Sequence, residues 1–347
     1  MQHPEVGTGL FGGQPVKAPV QPLVAIITPV YNGEAYLKAA MQSVQKQTYS
    51  NIVHIVLDNC STDGTPAIIE QFRNQRVKLI SARNDELVPI CENWNRALRM
   101  APAETAYAKI LCADDLIRSD CISRFVAVAE SDQEIEVVLS HDIFFAENVH
   151  RANLPSDSTV FDGIAVMRAA MNDSINWLPY HHLFIRLHDY DRSAPIFVER
   201  PIFFDAVAVL SRLRRGKLAY LHEPLVYTRW HKDSETSKYL RGGGSVPLLT
   251  RLDIFTTYGR DCWDEATYRK ELGRLRGRLA RFVLSQSLTG HHAVAREIEK
   301  GLKDKGVPLS PFDYIKCVFG WPSYVRWKRS WRQLEGPKID EAQFSAD

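Results

Sequence analysis

"LVAIITPVYNG", Leu23 to Gly33, runs five apolar residues without a break into a segment whose Pro29, Asn32 and Gly33 form turns. A continuous apolar run of this length suits a strand buried on both faces, the kind found in parallel sheets. Working outward, Leu37, Ala40, Met41 and Val44 fall at i, i+3, i+4 and i+7 and predict a helix over Ala35–Gln47. A second strand over 52–58 (IVHIVLD), a polar loop over 59–64 (NCSTDG) and a helix from Thr65 to about Phe72 follow. VKLI reads as a third strand, ENWNRALRM as a helix and AYAKIL (106–111) as a fourth strand that delivers Asp114-Asp115. VVLSHDIFF (137–145) suits a further strand. Strands alternating with helices across short connections define an α/β class: a Rossmann-like, open, twisted, mostly parallel sheet flanked by helices.

Ligands of such sheets bind outside the carboxyl ends of the strands. The loops carrying Thr28, Asp58 and Asp114 all leave strands at that edge, so three polar clusters converge on one crevice. Two adjacent aspartates at a strand end raise one another's pKa unless a lysine, a helix N-terminus or a metal ion separates them. The plainer alternative is helix capping, with Asp115 or Ser119 opening the helix that Cys121, Ile122, Phe125, Val126 and Val128 outline.

At 347 residues, 45% hydrophobic and 24% charged, the chain has the composition of a soluble globular protein, one large domain with an appendage or two ordinary ones. A net charge of +2 gives no support to nucleic-acid binding. The six cysteines (60, 91, 112, 121, 262 and 317) lack metal-ligand spacing and point to a reducing compartment, with a cytoplasmic location expected. Residues 1–21 are rich in glycine and proline and read as a flexible extension without the features of a signal peptide.

Residues 146–200 show no periodicity that assigns them. A helix over Phe203–Leu213, a strand pair in LAYLHEPLVY and the segment RWHKDSETS come next, and RGGGS (241–245) reads as a flexible loop. Beyond it the chain turns helical and basic, with Arg269, Lys270, Arg274, Arg276, Arg278 and Arg281 in one stretch. Near the end, Trp321, Tyr324, Trp327 and Trp331 interleave with Arg326, Lys328, Arg329 and Arg332. That pattern suits peripheral contact with an anionic inner-membrane surface; the alternative is a helical appendage packed on the rest, its basic face solvated.

A nucleotide-diphosphate sugar needs a flat contact and a polar group for its base, an acceptor for its ribose and positive charge for its diphosphate. Tyr31, Asp58 and Asp114-Asp115 offer these, the last by holding a hard divalent ion. Each has a plainer role: Tyr31 as a turn aromatic, Asp58 in an Asx-turn, and Ser61 to Gly64 as a turn and cap with no direct chemistry.

"TPVYNGEAYL", "VLDNCSTDGT" and "CADDL", in this order and at these separations, resemble the donor half of the family 2 glycosyltransferases of GT-A fold, of the bacterial surface-polysaccharide type. The resemblance covers about residues 22 to 125 and continues more loosely to about 240. It implies a GT-A domain over 22–240, with a donor half (22–125) and an acceptor and catalytic half (126–240), followed by a Gly-rich loop and a basic helical region over 241–347. It also implies an inverting transfer of a sugar from a nucleotide-diphosphate donor to a glycan or lipid-linked acceptor, assisted by Mn2+ or Mg2+. On this resemblance Thr28, Pro29 and Tyr31 line the nucleotide pocket, Asp58 meets the base, Asp114 the ribose and Asp115 the metal. Cys112 stands where many relatives carry a further aspartate. An inverting displacement needs a general base, and in "RPIFFDAVAVLSRLRRGK" Asp205 takes that position, with Phe204-Asp205 in place of the usual Glu-Asp pair. Asp189, Asp191 and Glu199 are rivals, and Asp205 can also be an ordinary charge at a helix N-terminus. "YTRWHKDSETS" resembles the family's later basic segment, in which His231 would meet the metal or diphosphate, with Arg229 and Lys232 adding charge.

Two other functions remain open at this stage. A sugar nucleotidyltransferase would carry a Gly-rich, Arg-containing phosphate loop after the first strand, and TPVYNG is not one. A non-catalytic nucleotide-sugar-binding protein of the same fold would bind the donor without turning it over.

Overall fold

A computed structural model of the chain describes residues 21–144, 148–175, 178–188, 190, 191, 193–198, 203–229, 231, 234 and 245–319. Four strands, β1 (Leu23–Val30), β2 (Ile52–Asp58), β3 (Lys78–Arg83) and β4 (Thr105–Ile110), lie parallel in the order β3-β2-β1-β4. The register runs from Val24 opposite Ile52 to Val30 opposite Asp58, which brings the last residues of β1 and β2 to one edge. Helix α1 (Leu37–Gln45) buries Leu37, Ala40, Met41 and Val44, the four positions that the helical spacing singles out. On this face Leu37 and Met41 pack with Val30, Val56, Ile69 and Phe72, where α2 (Thr65–Glu70) closes the layer. The opposite face is covered by α3 (Ile90–Arg99), whose Trp94, Ala97 and Leu98 join a core with Ala25, Ile27 and Ile55. Each fully buried Leu or Met of this kind contributes about 1.5–3 kcal/mol.

β4 ends at Ile110, so Asp114-Asp115 do not end the strand; they sit on a turn before the two-residue strand β5 (Leu116–Ile117). Helix α4 (Cys121–Ala129) starts behind Asp120, and neither Asp115 nor Ser119 caps it. β6 (Ile135–Phe144) matches the sequence expectation closely. In the stretch that periodicity leaves unassigned the chain forms β7 (Asn148–His150), β8 (Val160–Asp162), α5 (Gly163–Met171), a 3-10 turn (Tyr180–His182) and β9 (Phe184–Arg186). Strands of three residues are too short to show a period, which is why the sequence conceals them. β9 inserts antiparallel between β4 and β6, so the sheet is mixed rather than wholly parallel.

After α6 (Phe204–Leu213) comes β10 (Lys217–Thr228), parallel to β6 and antiparallel to β5 and β8. The expected strand pair in LAYLHEPLVY is one strand. Its pairing with β6 shifts register on both sides of Pro224, a residue that has no N–H to give to the ladder, and the interruption resembles a turn in the sequence. Helices α7 (Ser245–Cys262), α8 (Glu265–Leu288), α9 (His292–Asp304) and α10 (Pro311–Phe319) form the helical C-terminal region. None of the described helices is long and apolar enough to cross a membrane. Of the loop expected over 241–245, Ser245 starts α7 and the rest lies outside the described residues, as do the aromatic, basic stretch from Trp321 to Arg332 and all but Gln21 of the extension over 1–21.

Asn95 of α3 ties the segment at Ile196 and Phe197 to the helix packed on β1 and β2. Its buried amide accepts from the Ile196 and Phe197 N–H groups (3.1 Å each) and donates to the Phe197 carbonyl (2.7 Å). Asn95→Ala leaves two N–H groups and a carbonyl unmatched, so urea denaturation should show a loss of about 2–4 kcal/mol. A loss below about 0.5 kcal/mol would mean that water satisfies the segment instead.

Candidate active site

Three loops meet at the carboxyl edge. The loops after β1 and β2 are laced together: Asn32 N–H donates to the Ser61 hydroxyl (2.8 Å), Thr62 N–H to Asn32 Oδ1 (2.8 Å) and Glu34 N–H to Asp63 Oδ2 (2.9 Å). Gly33 N–H donates to Thr65 Oγ1 (2.8 Å). A Cβ at Gly33 would stand 2.5 Å from Val30 Cγ2, so only glycine fits there. Ser61 to Gly64 therefore shape the crevice wall, as a turn and cap would.

Of the nucleotide-pocket candidates, Tyr31 is half exposed at the crevice mouth, with its ring available for a flat contact. Thr28 and Pro29 are buried, and the Thr28 hydroxyl shares a hydrogen bond with His54 Nε2 (3.0 Å). Burial lowers the His54 pKa to about 3 and keeps that ring neutral. Thr28 thus supports the floor of the crevice through β2 rather than opening onto it. Asp58 is buried, with Oδ1 accepting from Ser61 N–H (2.9 Å) and Oδ2 paired with Arg83 (2.7 Å). Arg83, at the end of β3, also donates to the Ser61 carbonyl (2.7 Å) while its side chain stays 45% exposed. Sequence reasoning missed Arg83; its signal was a lone basic residue at the end of a strand.

The acidic turn is the centre of the site. Asp115 is buried, and its Oδ1 accepts from the Arg229 N–H (2.9 Å). Burial, then the charge of Asp114, holds its carboxyl well above the usual carboxylate range. Asp114 is partly exposed, and His231 Nε2 donates to its Oδ2 (3.0 Å). The chain leaving β10 is fastened over the pair, with Arg229 above the Tyr36 ring (4.6 Å) and the His231 ring 4.7 Å from it. Tyr36, just ahead of α1, was not singled out from the sequence.

Behind Asp115, Thr228 donates to Asp142 Oδ2 (3.0 Å) and receives His182 Nε2 (2.5 Å) and His181 Nε2 (3.1 Å). With its Nε2 thus donating, the His182 ring places Nδ1 3.9 Å from Asp115 Oδ2. Lys109 Nζ donates to the His182 carbonyl (2.5 Å), and burial lowers its pKa to about 8. These histidines sit in the stretch without periodicity, so only an aspartate-histidine count could have flagged them. Cys112, Asp114 and Asp115 can bring one donor atom each within 4.8 Å of one another, as can Asp115, His181 and His182. Two carboxylates with imidazoles at hand form a donor set suited to a hard or borderline divalent ion.

Asp205 lies in the first turn of α6, its Oδ1 accepting from Ala206 N–H (2.8 Å). Phe204 packs edge-on against Trp94 (4.9 Å), and the preceding Phe203 is held at φ 61°, so the start of the helix is fixed. Burial pushes the Asp205 carboxyl up to about 6. Burial, then the charges of Asp115, Asp114 and Asp205, raises the Cys112 thiol, so Asp205 lies within electrostatic reach of the residue next to the acidic turn. Asp191 instead sits on an exposed turn where the Ser193 hydroxyl (2.7 Å) and N–H hold its carboxyl below the usual range. Asp189, Glu199 and Lys232 lie outside the described residues.

A mostly parallel sheet with its acidic turn and laced loops at the carboxyl edge has the layout of the GT-A fold. Residues 25–192 match the glycosyl transferase family 2 model. It is 30% identical over 106 residues to TuaG of Bacillus subtilis, a name tied to teichuronic acid biosynthesis, across 30% of this chain and 40% of that protein. Over 94 residues it is 35% identical to WfgD of Escherichia coli, the UDP-Glc:alpha-D-GlcNAc-diphosphoundecaprenol beta-1,3-glucosyltransferase, across 27% of this chain and 36% of that one. The matches thus span about two fifths of these relatives. Mannosyltransferase PcManGT from Pyrobaculum calidifontis, solved with GDP-Man and Mn2+, shares the fold at a TM-score of 0.54 and 16% identity, over 91% of this chain and 84% of that one.

Proposed function

We propose that the protein transfers a sugar, with inversion, from a nucleotide-diphosphate donor to a glycan or lipid-linked acceptor in surface-polysaccharide synthesis. The observation that carries this reading is the Asp114-Asp115 turn at the carboxyl edge of the sheet, with the 229–231 segment bonded to both carboxylates. Tyr31 offers the base a flat face, while Asp58 and Arg83 present an acceptor and a donor to its edge. Asp114, Asp115 and His231 are the residues that would hold Mn2+ or Mg2+. Bound there, the ion offsets the charge of the departing nucleoside diphosphate. Asp205, with a pKa near neutrality, takes the proton of the attacking acceptor hydroxyl. The WfgD acceptor, a lipid-linked diphosphate sugar, is the precedent for the acceptor class. Peripheral membrane contact through the basic, aromatic C-terminal stretch belongs to the same reading.

The test is release of nucleoside diphosphate from a panel of UDP-, GDP- and dTDP-sugars with Mn2+ or Mg2+ and membrane lipid extract. One donor should turn over, and EDTA should stop it. Tight binding of a donor with no turnover under any acceptor condition would move the assignment to a non-catalytic binding protein.

A further inference from the structure

The C-terminal helices bring arginines against the acceptor half. Asp173, in the turn after α5 with φ 64°, faces two guanidiniums at once: Oδ1 meets Arg251 of α7 and Oδ2 meets Arg278 of α8. Their side chains are 15% and 28% exposed, so the charges sit largely inside the junction. Arg278 Nε is buried without a hydrogen-bond partner among the described residues. Burial lowers the pKa of both arginines, and Arg281, one turn further along α8, lowers that of Arg278 as well. One carboxylate against two sheltered guanidiniums leaves positive charge in a place where solvent screens it poorly. The neighbouring acids of these helices are engaged elsewhere: Asp253 with Lys305, Asp261 with Arg214 and Asp313 with Arg276.

The position of this charge matters. Tyr180 is buried at the start of the 3-10 turn that carries His181 and His182, and its hydroxyl lies within electrostatic reach of both Arg251 and Asp205. The 3-10 turn also packs against α6, the helix of Asp205, and α5 packs against both α6 and α7, so the arginine pair lies close to the helix that carries the candidate base.

We infer that Arg251 and Arg278, steadied by Asp173, form a subsite for a phosphate or diphosphate group of the acceptor, so that the C-terminal helical region completes the acceptor site. Guanidinium forks match phosphate oxygens, and Asp173, paired with both, holds the two forks side by side while competing with an anion for them. The subsite deepens the proposed transferase reading, on which its link to the acceptor rests.

The test is equilibrium binding of inorganic pyrophosphate and of geranyl diphosphate to the full chain in metal-free buffer, where the acidic pair repels both. Wild type should bind, and Arg251→Gln or Arg278→Gln should weaken binding about tenfold. Asp173→Asn should tighten it several-fold, because it removes the competing carboxylate; a purely structural ion pair predicts no gain. Tighter binding of geranyl diphosphate than of pyrophosphate identifies a lipid-linked source, and equal binding a phosphate carried on the glycan. Absence of metal-free binding by wild type overturns the subsite, as does binding that none of the three substitutions changes. Nucleoside diphosphate binding with Mn2+, measured in parallel, should be unchanged in the glutamine variants. Its absence in wild type would sink the donor reading while leaving the anion result to stand by itself.

Discussion

Asp205→Asn is expected to reduce sugar transfer by about 100- to 10,000-fold while donor affinity stays within about twofold, the pattern of a lost general base. The wild-type rate should climb as pH rises through about 6, because the carboxyl must be ionised to accept the proton and burial holds its pKa there. Stability moves the other way. The unfolded chain releases this proton near the ordinary value of 3.8, the folded chain near 6, so stability falls as pH rises between the two and the penalty persists above. Asp205→Asn should therefore melt higher than wild type at pH 7, by about 1–2 kcal/mol after solvent screening. Calorimetry and a pH-rate series check both halves. A variant that keeps more than about a tenth of the activity would pass the role to Asp189 or Glu199.

The part of the sheet from β1 to β4 was legible in the sequence because its signals are local. Buried parallel strands are unbroken apolar runs, and β2 was placed at its two ends from IVHIVLD alone. Leu37, Ala40, Met41 and Val44 report α1 for the same reason. The strands after β4 depend on contacts that no local period records. β9 is three residues long and exists because β4 and β6 flank it, and β10 is one strand despite a proline. The site divides likewise. Asp114-Asp115 and His231 stand in recognisable segments, whereas Arg83, Tyr36, His181 and His182 gain meaning only from what lies across the fold. In the helical region a charge count hides local pairing: Arg269, Arg274 and Arg276 are paired with Glu265, Glu271 and Asp313.

Asp115→Asn separates a site built for a cation from a capping acid. Asp115 is buried beside Asp114, and its carboxyl is held well above the usual range, so at neutral pH an ionised Asp115 costs stability when nothing positive is bound. Asparagine keeps an oxygen for the Arg229 N–H and removes the charge. In EDTA the variant should consequently melt above wild type. Adding Mn2+ should reverse the order, because a ligand at about 100 times its Kd raises wild-type stability by about 2.7 kcal/mol and the variant has lost one of the two carboxylates that hold it. Nucleoside diphosphate release should fall at least about 1,000-fold, since charge stabilisation of the leaving group is among the largest single contributions to such a reaction. If Mn2+ shifts both melting curves equally, the ion sits elsewhere, and Asp115 serves chiefly to fasten the chain after β10 over Tyr36 and Asp114.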